Sequence, residues 1–123
     1  ARLVNNQKPK WIVSKVAEAI NNENFLNPKI ACLGLAFKPN IDDLRESPAI
    51  EVYEQLSKKY ERVFAVEPNI DSNFKDFVIY SLEDAIKESD IVVILVKHKE
   101  FLSPDVRMML KKKMIFDFCG AFQ

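Results

Sequence analysis

With 123 residues, 48% of them hydrophobic, the chain is of single-domain size and able to bury roughly two thirds of its unfolded surface. Its 18 Lys and Arg balance its 18 Asp and Glu, which removes the basic footprint of a nucleic-acid binder. No apolar run approaches the roughly 18 residues of a membrane span, and Ala1-Arg2-Leu3-Val4 does not open a signal peptide, so a soluble cytoplasmic protein without membrane or nucleic-acid partners is expected.

In chain order, Ile12, Val13, Val16, Ala19 and Ile20 repeat at helical spacing, predicting an amphipathic helix from Pro9 to about Asn22, with an Asn-rich exit and a break at Asn27-Pro28. The continuous apolar run from Lys29 to Ala36 reads as a parallel strand covered on both faces. Ser47-Pro48 is a cap followed by proline at the first helical position, where a missing N–H costs nothing; a helix to about Lys59 follows, with Ala49, Val52, Tyr53 and Leu56 on its apolar face. Val63 to Val66 is a second strand ending at Glu67-Pro68, and Val78-Ile79-Tyr80 can add a short one. Ser81-x-x-Asp84 resembles a capping box and opens a short helix to about Glu88, after which Ile91 to Val96 is the most strand-like stretch. Ser103-Pro104 repeats the cap-plus-proline device before a helix over about Asp105 to Lys112, and Met114 to Phe118 forms the last strand. Strands alternating with helices predict an α/β, three-layer, Rossmann-like domain with a mostly parallel sheet, preceded by an N-terminal helix.

The two glycines, Gly34 and Gly120, each fall at or near a strand C-terminus, the edge where such a sheet holds its ligand. No glycine-rich phosphate fingerprint stands there. The first loop instead carries Lys38, Asp42, Asp43, Arg45 and Glu46, joined at that edge by Glu67, Lys97, His98 and Asp117: a mixed-charge cleft suited to an anionic, hydroxyl-rich ligand. Lys38 can meet phosphate as a point charge and Arg45 can bind it bidentately; the alternative is a loop salt-linked through Asp42 or Asp43 and Arg45. Glu67 stands where a dinucleotide-binding fold puts its ribose acid, or is a simple loop acid. His98, the sole histidine, is a catalytic base or, without a nucleophile beside it, a structural residue closing the strand end; Lys97 and Lys99 read as solvated. Cys32 and Cys119 lie in apolar runs as small buried hydrophobes, and with no Cys-x-x-Cys a zinc site is not expected.

The stretch from Leu33 through Gly34-Leu35-Ala36-Phe37-Lys38-Pro39-Asn40-Ile41-Asp42-Asp43-Leu44-Arg45-Glu46-Ser47-Pro48 to Ala49 resembles the signature of the C-terminal, UDP-binding domain of the UDP-glucose/GDP-mannose dehydrogenase family. It is most like the bacterial UDP-N-acetyl-mannosamine and UDP-N-acetyl-glucosamine 6-dehydrogenases. Ala1-Arg2-x-Val4-Asn5 with Lys8-Pro9, Glu67-Pro68 and His98-x-Glu100-Phe101 extend the similarity over nearly the whole chain. The resemblance implies residues 1–26 as the end of a central dimerisation helix with its linker, and 27–123 as a Rossmann-like UDP-sugar-binding domain. It further implies a full-length, homodimeric parent that oxidises a sugar C6 alcohol to a carboxylate with NAD, for surface polysaccharide precursors. NAD would be bound mainly by a separate N-terminal domain. Phe37 and Lys38 would contact the nucleotide sugar, Arg45 would reach toward NAD, and Asp42, Asp43 and Glu46 would hold the loop. The chain begins without methionine and lacks the catalytic-cysteine context of such enzymes, so it is expected to be a fragment with no catalytic residue and no turnover of its own. Relatives often carry arginine after the final strand acid, where this chain has Asp117-Phe118-Cys119-Gly120, so Cys119 takes no role by position. The competing readings are a receiver-like module, on Asp42, Asp43 and Lys97, or an interaction module. Against the former, the acidic pair lies six residues past Ala36 and no aspartate ends a central strand as a phosphoacceptor.

Overall fold

The computed structural model describes residues 2–35, 48–68 and 78–118. Its elements in chain order are α1 (Arg2–Asn22), β1 (Lys29–Leu33), α2 (Pro48–Lys59), β2 (Arg62–Val66), α3 (Leu82–Glu88), β3 (Ile91–Ile94), α4 (Pro104–Leu110) and β4 (Met114–Asp117), with a 3-10 turn at Lys99–Leu102. The four strands form one parallel sheet in the order β2-β1-β3-β4. Because β2 lies on one side of β1 and β3 on the other, the chain reverses its direction of winding at β1, and the crevice beyond the C-terminal ends of β1 and β3 is the switch point of the sheet.

Strand alternation divides the core into two layers. Ile30 and Cys32 of β1 and Ile91 and Val93 of β3 face α1 and α2, meeting Val13, Val16, Val52 and Leu56. Ala31, Leu33, Val92 and Ile94 face the other way, onto Ala85 and Ile86 of α3, Val106 and Leu110 of α4, and Phe101 of the 3-10 turn. With helices on both faces, β1 and β3 are buried along nearly their whole length, which is why their sequences are continuously apolar rather than alternating. The three-layer α/β architecture is the one expected from the sequence.

The caps follow their sequence signals. Ser81 Oγ accepts from the Asp84 N–H at 3.2 Å and Ser103 Oγ from the Val106 N–H at 3.2 Å, each satisfying a donor that the first helical turn leaves open. The Ser47 cap lies outside the described residues. Past α1, Asn24 and Asn27 adopt positive φ of 57° and 53°, a conformation asparagine tolerates better than most residues.

Some boundaries differ from the sequence reading. Helix α1 does not begin at Pro9 but runs through it from Arg2, so the proline stands inside the helix without an N–H to donate; Pro9 is itself buried, and that packing offsets part of the lost bond. Strands β1 and β3 end at Leu33 and Ile94, short of Leu35 and Val96: the apolar run continues because Leu35 and Val96 are buried beyond the ladder. The stretch around Ile79 forms only a bridge to Ala65. Helix α4 stops at Leu110, after which Lys113 turns back to carry its ammonium 2.7 Å from the Ser89 carbonyl, just past the end of α3.

Candidate functional site

The site forms where β1, β2 and β3 end. After Leu33 the chain leaves the ladder in two steps. The Gly34 N–H donates to the Val66 carbonyl of β2 at 2.8 Å, and the Leu35 N–H donates to Glu67 Oε1 at 2.8 Å, so a side-chain carboxylate replaces the next acceptor of the ladder. Leu35 is fully buried, and without that carboxylate its N–H would lack this acceptor away from water.

Gly34 is required by close approach. Its φ is +96°, and a Cβ there would lie 2.7 Å from Val96 Cβ and 2.9 Å from Val96 N. The first glycine after β1 therefore admits the segment following β3 into the crevice, a different use of glycine from a phosphate cradle.

Glu67, first residue past β2, and His98, four past β3, meet at the end of the strand between them. His98 Nε2 is 2.9 Å from Glu67 Oε1, and the two residues are 0% and 2% exposed. Two donors converge on one oxygen, so the arrangement fits an ionised carboxylate accepting both the Leu35 N–H and an Nε2–H of the imidazole. The His98 backbone is held on both sides, its N–H donating to the Val96 carbonyl at 3.0 Å and its carbonyl accepting from the Phe101 N–H at 3.1 Å. Phe101 lies edge-on to the imidazole with ring centroids 5.4 Å apart. The pair is held in place and buried from solvent.

This corrects one expectation and resolves another. Glu67 is neither an exposed ribose acid nor a simple loop acid: the carboxylate is sealed and turned back toward β1, where it cannot reach a ribose in solvent. His98 closes the strand end as a structural residue, buried and turned to Glu67, while Lys97 and Lys99 are exposed. Nothing in the sequence around either residue announces the pairing. The available signal was positional: an acid directly after one strand and the sole histidine just after another are neighbours once a third strand is known to separate them.

Phe37, Lys38, Asp42, Asp43, Arg45, Glu46, Cys119 and Gly120 lie outside the described residues. Asp117 ends β4 half-buried. Cys32 sits in the middle of β1, fully buried, and burial pushes its thiol from 9.0 up to about 12, which makes it inert packing rather than a nucleophile. Among the described residues no His, Cys, Asp and Glu gather into a group of three that could hold a metal ion, and no helix is long and apolar enough to cross a membrane. A solvent-open cleft lined by Asn21, Phe25, Lys59, Tyr60 and Arg62 lies at the opposite end of the sheet, where strands begin and ligands are not usually held.

Residues 31–123 match the family model described as the UDP-glucose/GDP-mannose dehydrogenase family, UDP binding domain. The UDP-N-acetyl-D-mannosamine dehydrogenase of Campylobacter jejuni is 46% identical over 83% of this chain and 26% of its own length. The enzyme of the same name from Yersinia pestis is 38% identical over 100% of this chain and 32% of its own. The native structure of the UDP-N-acetyl-mannosamine dehydrogenase from Staphylococcus aureus superposes with a TM-score of 0.79 at 31% identity, over 98% of this chain and 29% of that one. The 123 residues thus span about a quarter to a third of the relatives they match.

Proposed function

This chain belongs to the UDP-glucose/GDP-mannose dehydrogenase family, and we propose that it binds the nucleotide of a UDP-sugar for an NAD-dependent 6-dehydrogenase that oxidises the sugar C6 alcohol to a carboxylate. The observation that carries this reading is the family match to a UDP-binding domain over residues 31–123, a range that contains the switch point of the sheet and the segment leaving β1. The names of the similar proteins from Campylobacter jejuni and Yersinia pestis favour an N-acetylated UDP-hexosamine as the substrate class.

In this reading Phe37 and Lys38 contact the nucleotide sugar, Arg45 reaches toward NAD, and Asp42, Asp43 and Glu46 hold the loop and its arginine. The chemistry needed is recognition of a diphosphate and a sugar, which lysine and arginine supply as charge and as paired donors. NAD is held mainly by a separate domain of the parent enzyme, and that domain together with the parent's catalytic cysteine performs the oxidation. Residues 1–26 are the end of the dimerising helix with its linker, the parent is a cytoplasmic homodimer, and its product feeds surface polysaccharide synthesis.

Thermal unfolding tests the reading. UDP at 100 times its dissociation constant is expected to add about 2.7 kcal/mol to stability. No shift with UDP beside a clear one with acetyl phosphate and magnesium would sink it in favour of a receiver-like module. NADH production by the 123 residues alone would overturn the division of labour.

A further inference from the structure

We propose that Glu67 and His98 are positioning residues for nucleotide binding, holding the backbone at Leu35 from which the chain runs on to Phe37 and Lys38. The inference rests on the nucleotide reading above. Leu35 is fully buried, and its N–H is held by Glu67 Oε1 at 2.8 Å. The same oxygen lies 2.9 Å from His98 Nε2, so the carboxylate is held from the β3 side while it holds the end of β1. His98 is itself fixed by two backbone hydrogen bonds and by the Phe101 ring. On the other side of the same turn, Gly34 packs directly against Val96. The three strand ends are thereby tied together at Leu35.

The chemistry of the pair argues for placement over bulk stability. A buried polar pair is often no more stabilising than apolar side chains of the same volume, because the cost of desolvating both groups cancels much of the hydrogen bond's gain. It does fix direction and distance to within hydrogen-bond tolerance. Lys38 is three residues beyond Leu35 in sequence, so Leu35 is the described backbone position nearest along the chain to the groups proposed to meet the diphosphate. A displacement of about 1 Å in a binding group can cost up to about a hundredfold in function.

The test uses the full chain, isotopically labelled, with two readouts: UDP affinity by calorimetry and hydrogen exchange at the Leu35 amide. His98→Phe removes the donor and keeps a ring; His98→Gln restores a donor near the position of Nε2. His98→Phe is expected to weaken UDP binding at least about tenfold and to speed Leu35 exchange by a similar factor, and His98→Gln to recover most of both. Recovery by glutamine separates positioning from ring packing, which phenylalanine preserves better. UDP affinity unchanged in His98→Phe, or Leu35 exchange unchanged, overturns the assignment. If His98→Phe lacks the native amide spectrum, Glu67→Met takes its place as a variant of similar length without the acceptor, and unchanged UDP affinity there overturns the assignment equally. Absence of UDP binding by the unsubstituted chain overturns the nucleotide reading itself and this assignment with it. Binding that the variants leave intact overturns the assignment alone.

Discussion

Replacing Gly34 with alanine adds one methyl group at the most crowded point of the site. The new Cβ would stand 2.7 Å from Val96 Cβ, 2.9 Å from Val96 N and 3.1 Å from Val96 O, against an optimum of about 3.5–4.0 Å between carbon atoms. Retreat is blocked on both sides. The Leu95 N–H holds the Leu33 carbonyl at 2.9 Å and the Gly34 N–H holds the Val66 carbonyl at 2.8 Å, so β1 cannot move away from β3 without breaking ladder bonds. The positive φ of 96° costs an L residue about 1–2 kcal/mol before any clash. Overpacking adds about 1–3 kcal/mol, for a total of about 2–5 kcal/mol. A domain of 123 residues has roughly 6–18 kcal/mol in all, so the variant folds but is markedly weakened. With a urea slope of about 2 kcal/mol per molar, the unfolding midpoint followed by circular dichroism should fall by roughly 1–2.5 M. A fall of less than roughly 0.25 M at unchanged slope would refute the reasoning, because both the contact and the dihedral would then be absent in solution.

The Cys32 thiol, held at about 12 by burial, should resist alkylation at pH 8 in the folded chain and react in urea, as read by mass spectrometry of the peptide containing it. Between pH 9 and 12 the unfolded thiol loses its proton while the folded one keeps it, so the contribution is present below pH 9 and stability falls across that window by up to about 4 kcal/mol. Tyr53 and Tyr60, whose phenols burial also raises, act in the same direction. Cys32→Ala should make the decline shallower, and an identical pH profile would contradict the assignment. Lys113→Met removes the ammonium from the Ser89 and Lys87 carbonyls and should lower stability by about 1 kcal/mol, or about 4 °C in Tm; an unchanged Tm would show that bond to be idle in solution. Ser81→Ala and Ser103→Ala should each cost about 1 kcal/mol in urea unfolding, and no loss in either would discount its cap.

How far the fold was legible depended on whether a residue's meaning was local. Ser81 and Ser103 state their roles within four residues, and the caps formed at the expected positions. The unbroken apolar runs in β1 and β3 report burial on both faces, and the helices lie on both sides of the sheet as that pattern requires. Pro9 misled because a proline reads locally as a helix start, whereas α1 runs straight through it. Glu67 and His98 were legible only as individual polar residues, since their partnership needs the strand order β2-β1-β3, a property of the whole chain. Gly34 pointed correctly to the C-terminal edge of the sheet. Its reason, the approach of Val96, lies 62 positions away and could not be read from its neighbours.

The central claim, that these 123 residues hold the nucleotide of a UDP-sugar, is tested most directly by titrating UDP into the full chain in a calorimeter, with uridine and a Lys38→Ala variant alongside. The account predicts one UDP bound per chain, uridine bound more weakly for lack of the diphosphate, and a loss of UDP affinity in Lys38→Ala. No heat of binding from UDP at millimolar concentration, or equal affinity for UDP and uridine, would contradict it.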